Sequence, residues 1–255
     1  WYASRIAFML YILMLIGGIF AAARWYKEQV KTRNSLQMGV ILTNITHELL
    51  TPLTVISATI YKLKERAPQY EEDYLVIDSN INRTTRLLQQ ILEVRKSQAG
   101  QLHLLVSRRN LISFIEEACE NIRPMAEHQK ITLSLEKPKT EGMAWFDADK
   151  MDKIIYNLLS NAIKYNKVGG KIDVSLSLNR EQAVITIADN GIGMSKEKMK
   201  HLYTRFFDGD YRKQNQPGTG IGLSLTHDLV KLHHGNIQCE SQEGEGTTFT
   251  ITLPI

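Results

Sequence analysis

A histidine followed at once by a glutamate, His47-Glu48, lies within Asn44-Ile45-Thr46-His47-Glu48-Leu49-Leu50-Thr51-Pro52-Leu53. An imidazole nitrogen is available as a nucleophile near neutral pH, because an unperturbed histidine titrates at about 6.5. A neighbouring carboxylate can accept the other ring N–H, fixing the tautomer and stabilising the cation that forms on reaction. Met38, Leu42, Ile45, Leu49, Leu53, Ile56, Ile60 and Leu63 recur at steps of three and four, a helical seam with one stutter beside Pro52. At about 100° per residue, His47 falls between Ile45 and Leu49 and faces away from that seam. Thr51 shares its face one turn on. Pro52 inside the helix costs on the order of 3 kcal/mol unless compensated, and such local rule-breaking is common at functional sites.

A second set of polar residues has phosphate and metal chemistry. Asn157, Asn161, Lys164 and Tyr165 fall on one face of a helix whose opposite stripe is Met151, Ile154, Ile155, Leu158, Ala162 and Ile163. Asparagine is a mediocre helix former, so two of them one turn apart suggest a task. An amide oxygen is a hard ligand suited to Mg²⁺, and Lys164 offers a point charge to phosphate. Asp189-Asn190-Gly191-Ile192-Gly193 ends a strand with a carboxylate that can accept hydrogen bonds from an adenine amino group. Its glycines permit close backbone approach, although D-N-G is also ordinary turn chemistry. Gly218-Thr219-Gly220-Ile221-Gly222-Leu223 opens a helix, where free N–H groups favour an anion. The polar stretch 208–217 before it suits a lid, anchored by Arg205-Phe206-Phe207. Gly244-Glu245-Gly246-Thr247-Thr248-Phe249 reads as a turn between two strands.

Each cluster is common alone; the ordered set is specific. H47-E-L-L-T-P-L resembles the phosphoacceptor box of sensor histidine kinases. N157-L-L-S-N161, D189-N-G-I-G193, R205-F-F, G218-T-G-I-G-L and G244-E-G-T-T-F resemble, in order, the boxes of the ATP-binding domain shared by histidine kinases, gyrase-type ATPases and Hsp90-type chaperones. The resemblance covers roughly residues 35–255. It implies ATP as substrate, Mg²⁺ on Asn161, adenine on Asp189, and phosphates over Lys164 and the Gly218–Gly222 turn. It also implies an ATP-dependent protein-histidine kinase that phosphorylates His47, aided by Glu48, and passes the phosphoryl group to an aspartate of a receiver domain. Thr51 matches the family position that orients a hydrolytic water, which implies phosphatase activity on that receiver. Leu50 departs from the basic residue usual there. A gyrase- or chaperone-like ATPase would leave His47, Glu48 and the seam unused, and a scaffold that no longer turns over ATP has only Leu50 in its favour.

Composition agrees with such a chain. Its 255 residues are 43% hydrophobic and 23% charged, enough for a core and a solvated surface. A net charge of +4 without a basic stripe and interleaved aromatics argues against direct nucleic-acid contact. Cys119 and Cys239 stand apart from each other and from any metal-ligand spacing, which fits a reducing cytosol.

The elements that must position this chemistry follow in chain order. Residues 6–23 are an 18-residue uncharged run bracketed by Arg5 and Arg24, which reads as a membrane-spanning helix. Arg24, Lys27, Lys31 and Arg33 follow it, so the remainder is expected on the cytoplasmic side of a bacterial inner membrane. The expected parts are the membrane helix with its flank (1–24), a juxtamembrane linker (25–37), a dimerisation and phosphotransfer hairpin (38–99) and an ATP-binding domain (100–255). Tyr74, Ile77, Ile81, Thr84, Leu88 and Ile91 supply the hairpin's second helix, and so wide an apolar face calls for a second copy, giving a homodimeric four-helix bundle. Leu102, Leu104 and Val106 alternate like a strand beyond a hinge placed at 96–106, and Asn110 caps a helix to about residue 127. Strands 131–136, 143–146, 171–178, 183–189, 236–241 and 247–253 alternate with helices. The fold class is α+β: a spanning helix, a helical hairpin, then an α/β sandwich that the resemblance makes a GHKL-type (Bergerat) fold. The Trp1-Tyr2 start just before the spanning run is similar to hybrid two-component sensors, which implies a sensor before this chain and a receiver beyond it.

Overall fold

The computed structural model describes residues 24, 46, 49–64, 70–139, 142–179, 181–204 and 220–254. The chain divides into two compact units, Trp1–Arg95 and Lys96–Ile255. His47, Glu48, the apolar run 6–23, the juxtamembrane stretch 25–37, Arg205-Phe206-Phe207, the lid stretch 208–217, Gly218 and Thr219 lie outside the described residues. Among the described residues no helix is long and apolar enough to cross a membrane.

In the first unit, helix α1 (residues 49–64) contains Pro52, and helix α2 spans Glu71–Gln98. The single seam read from the sequence splits into two heptad-spaced stripes. Thr46 and Ile60 are buried and Leu53 packs with Ile60 against Tyr74 and Ile81 of α2. Leu49, Ile56 and Leu63 are 47%, 47% and 44% exposed in the single chain. One stripe closes the hairpin and the other is left open to solvent.

In the second unit, five strands form a mixed sheet in the order β2-β4-β5-β7-β6. These are β2 (Thr132–Glu136), β4 (Lys171–Leu178), β5 (Gln182–Asp189), β6 (Asn236–Gln242) and β7 (Gly246–Pro254). Only the β2–β4 pair is parallel. Alternation sorts the side chains: Ile172, Val174, Leu176, Ala183, Ile185, Ile187, Ile251 and Leu253 are buried. Their neighbours Ser175, Ser177, Thr186, Thr250 and Thr252 point the other way. Helices α3 (Leu111–His128), α4 (Ala148–Lys164) and α6 (Gly222–Leu232) bring their own apolar stripes to this core, while the short α5 (Lys196–Lys200) buries no side chain. Asn110 caps α3 as expected, its side-chain oxygen accepting the N–H groups of Ile112 and Ser113.

The expected strand at Leu102–Val106 is not formed. Strand β1 is Ser107–Asn110, paired antiparallel with β3 (Met143–Phe146) as a separate two-stranded ribbon. Burial alternates through 102–105, with Leu102 and Leu104 half-buried and His103 and Leu105 exposed. Alternation reports which way side chains face, and a strand also needs a partner backbone. Here the Leu105 N–H goes to a side chain, Oδ2 of Asp147 at 2.8 Å.

Burial pushes the Cys119 thiol up to about 11 and the Cys239 thiol up to about 12. The thiolate is the reactive species. Both cysteines are therefore expected to resist alkylation by iodoacetamide at neutral pH and to react once the chain is unfolded in denaturant. Mass spectrometry after a timed pulse checks this, and rapid labelling of the native protein at either position would contradict it.

Candidate nucleotide-binding site

Helix α4 is the backbone of the site. Its N-cap is Asp147, whose Oδ1 accepts the Lys150 N–H at 3.1 Å, while Asp149 in the first turn and Lys164 in the last complement the helix dipole. Met151, Ile154, Ile155, Leu158, Leu159, Ala162 and Ile163 are buried, which pins the rotation of the helix. The face carrying Asn157, Asn161, Lys164 and Tyr165 is only partly covered.

The two asparagines differ. Asn157 Nδ2 donates to Thr226 Oγ1 on α6 at 2.8 Å. A Cβ at Gly222 would lie 2.3 Å from Asn157 Oδ1, so the start of α6 packs directly on this side chain. Asn161, one turn along, makes no side-chain hydrogen bond among the described residues, and its amide oxygen is uncommitted. The donor set thus suits a hard cation at Asn161, with Asn157 holding two helices together. Lys164 Nζ lies over the Tyr165 ring, 4.9 Å from its centroid.

Helix α6 has no side-chain cap at Ile221, so among the described residues its first N–H groups lack a capping acceptor. Gly220 before it has φ +61°, a left-handed turn that glycine adopts without cost. Ile221 is buried and Leu223 half-buried, so they anchor the turn.

The far end of the site is built where β5 stops. Asp189 Oδ1 accepts the Gly191 N–H at 2.9 Å, and the Ile192 N–H reaches the Tyr165 carbonyl at the end of α4 at 3.0 Å. A Cβ at Gly191 would lie 2.3 Å from that carbonyl, and one at Gly193, with φ +63°, would lie 1.8 Å from the Gln242 carbonyl. Eight residues of α4 separate Asn157 from Tyr165, about 12 Å at the helical rise. An extended ligand lying along α4 would span from the α6 N-terminus to Asp189.

Three further residues build the site beyond those expected to touch ATP: Gly246 and Thr247, from the cluster read as a turn, and Ser241, which no sequence signal marked. Thr247 pairs with Asp189 across β5 and β7, and its backbone hydrogen bond helps hold the carboxylate. Gly246 closes on the same residue, since a Cβ there would lie 1.9 Å from the Asp189 carbonyl. Ser241 Oγ accepts the Met194 N–H at 2.9 Å and donates to the Gly246 carbonyl at 2.8 Å, tying both loops. The Gly244–Phe249 cluster does turn the chain between β6 and β7, and it also forms the floor beneath Asp189. No local pattern announces this, because strand register brings them together.

Fold and site define an ATP-binding domain of the kind described as "Histidine kinase-, DNA gyrase B-, and HSP90-like ATPase", whose family model matches residues 146–255. The "His Kinase A (phospho-acceptor) domain" model matches residues 37–100. The chain belongs to the histidine kinases of two-component systems and carries their two-domain core. It is 28% identical to Histidine kinase P4 of Formosa agariphila over 98% of this chain and 20% of that protein. It is 29% identical to the sensor histidine kinase WalK of Bacillus subtilis over 94% of this chain and 40% of that protein. The chain therefore spans between a fifth and two-fifths of the length of these relatives. The structure of full-length ShkA in complex with AMPPNP superposes with a TM-score of 0.69 at 18% identity, over 84% of this chain and 45% of that one, a likeness of fold.

Burial holds the Asp189 carboxyl above its ordinary range, opposed by the N–H groups of Gly191 and Thr247. A folded-state value above the unfolded one means that the native state keeps its proton longer. Stability from this group is then full at low pH and is lost as pH rises through the folded value. Against Asp189→Asn, which has no charge to bury, the parent chain is expected to lose thermal stability as pH rises above about 4, the ordinary carboxylate value. Paired melting curves at rising pH test this, and a parent advantage that grows with pH would refute it.

Proposed function

We propose that this chain is the kinase core of a membrane-anchored sensor: it moves the γ-phosphoryl group of ATP to His47 and then to an aspartate of a receiver domain. The observation that carries the reading is the gathering of three groups along one helix of the second unit. An uncapped α6 N-terminus, the uncommitted Asn161 amide and the half-buried Asp189 lie along α4, in a chain whose other matched domain is a phosphoacceptor domain. The AMPPNP held by the ShkA structure is consistent with a nucleotide in this fold.

Asp189 accepts the adenine amino group at one end of the cleft, with Gly191 and Gly193 letting the backbone come close. The N–H groups at Gly220–Leu223, together with Gly218 and Thr219, receive phosphate oxygens at the other. Lys164 adds a positive charge between them and Tyr165 closes the wall. Asn161 would hold Mg²⁺, which when bound offsets charge on the phosphates. His47 attacks as the neutral imidazole while Glu48 accepts its second ring N–H, so the cation formed in the product is stabilised in place. The N–P bond forms as the bond to the β-phosphate oxygen breaks, with ADP leaving. Thr51, exposed on α1 one turn past His47, would orient the water that hydrolyses the phosphorylated receiver. The run 6–23 anchors the chain in a bacterial inner membrane, with the kinase units on the cytoplasmic side.

Incubation with γ-labelled ATP is expected to label the chain through an acid-labile, base-stable bond that His47→Ala abolishes and Glu48→Gln reduces. Label that survives His47→Ala would move the acceptor elsewhere. ATP hydrolysis undiminished by the same substitution, with no label in the parent, would favour a gyrase-like ATPase instead.

The open stripe of Leu49, Ile56 and Leu63 is the surface on which a second copy would complete a four-helix bundle. Ile56→Glu places a charge in that seam and is expected to turn a dimer into a monomer by light scattering. An unchanged mass would place the self-association surface elsewhere.

A further inference from the structure

The segment by which the chain enters its second unit ends on a residue that also fixes both helices of the cleft. Asp147 is 4% exposed and divides its polar atoms three ways. Oδ2 accepts the Leu105 N–H at 2.8 Å, and Oδ1 accepts the Lys150 N–H that starts α4, at 3.1 Å. Its own N–H is donated to His233 Nε2 at 3.3 Å. His233 is 7% exposed, caps the C-terminal end of α6 and has Nδ1 2.8 Å from the Leu229 carbonyl. Since Nε2 must accept from the Asp147 backbone, Nδ1 must carry the proton that goes to Leu229, and every polar contact of the ring is accounted for.

The geometry points to Asp147 as a positioning residue that couples the 101–106 segment to the nucleotide cleft. Helices α4 and α6 run antiparallel: the start of α4 meets the end of α6 at Asp147–His233, and Asn157 meets Gly222 and Thr226 toward the other end. Moving Leu105 therefore pulls on the one carboxylate that sets where α4 begins, and through the backbone of the same residue on where α6 ends. Among the described residues the segment has no ladder partner; the Gln101 N–H turns back to the Lys96 carbonyl at 2.9 Å, and the Leu105 N–H ties the segment forward to α4 before β1 begins. Buried polar groups of this kind are costly to leave unmade, so the three contacts form or break together. Coupling is reciprocal: a nucleotide that fixes the spacing of α4 and α6 also steadies the Leu105 N–H. This inference rests on the nucleotide reading above.

The test is hydrogen exchange on the full chain in detergent, with ADP as the probe and peptides that separate 102–106 from α4 and α6. In the parent, saturating ADP is expected to slow exchange at 102–106 by at least about fivefold, the lower end of ordinary site-to-site coupling. Asp147→Asn keeps the volume and an Oδ1 for the Lys150 N–H, but turns an amide NH₂ toward the Leu105 N–H. That variant is expected to bind ADP and still protect α6, while exchange at 102–106 no longer responds. Asp147→Ser, a good helix cap too short to reach Leu105, is expected to give the same uncoupling and serves should the first variant not fold. A merely structural role would lower protection throughout the unit without separating the two responses. If the parent binds ADP and 102–106 does not respond, or if either folded variant retains the response, the coupling is wrong and the kinase reading stands. If the parent binds no ADP at all, measured by calorimetry, both fall.

Discussion

A bare α-carbon at residue 222 is the constraint on which the second unit depends. A Cβ there would lie only 2.3 Å from the Asn157 amide oxygen, so either that side chain or the place where α6 starts would have to move. Because it does start there, Asn157 can reach Thr226, and the uncapped N–H groups at the head of α6 are held beside the polar face of α4. The site is the consequence of two helices approaching more closely than ordinary side chains permit.

The two asparagines of α4 show how one pattern divides into two tasks. Both sit on the same helical face, yet α6 covers the first and leaves the amide of the second uncommitted. Asn157 is architecture in the service of the site, and Asn161 is the group with a free oxygen. Spacing along one helix could not separate them, because what distinguishes them is the position of a second helix 65 residues later, where α6 begins at Gly222.

The opposite end of the cleft works by burial. Asp189 ends a strand with its carboxylate held by the backbone N–H groups of Gly191 and Thr247. Burial disfavours its charge and so lowers stability at neutral pH, a cost of the kind that functional sites accept when a group must be presented dry to a ligand. Cys239 feels the same charge, which adds to the burial that keeps its thiol protonated.

Local pattern determined a great deal here. The period of the apolar residues placed α1, α2, α3 and α4, and the alternation in 171–178 and 183–189 placed β4 and β5. Asn110 announced its cap, and the order of the polar clusters announced the family. These features are legible because helix period, strand period and capping are properties of neighbours in the chain. Pairing is not such a property. The segment at 102–106 alternates and forms no strand because no backbone lies beside it. The single seam of α1 became two stripes because Tyr74 and Ile81 of α2 cover only one side. Thr247 and Gly246 joined Asp189 because β7 lies next to β5, and Asp147 joined Leu105 to His233 across 42 and 86 residues of sequence. Those contacts were decided only when the chain closed on itself.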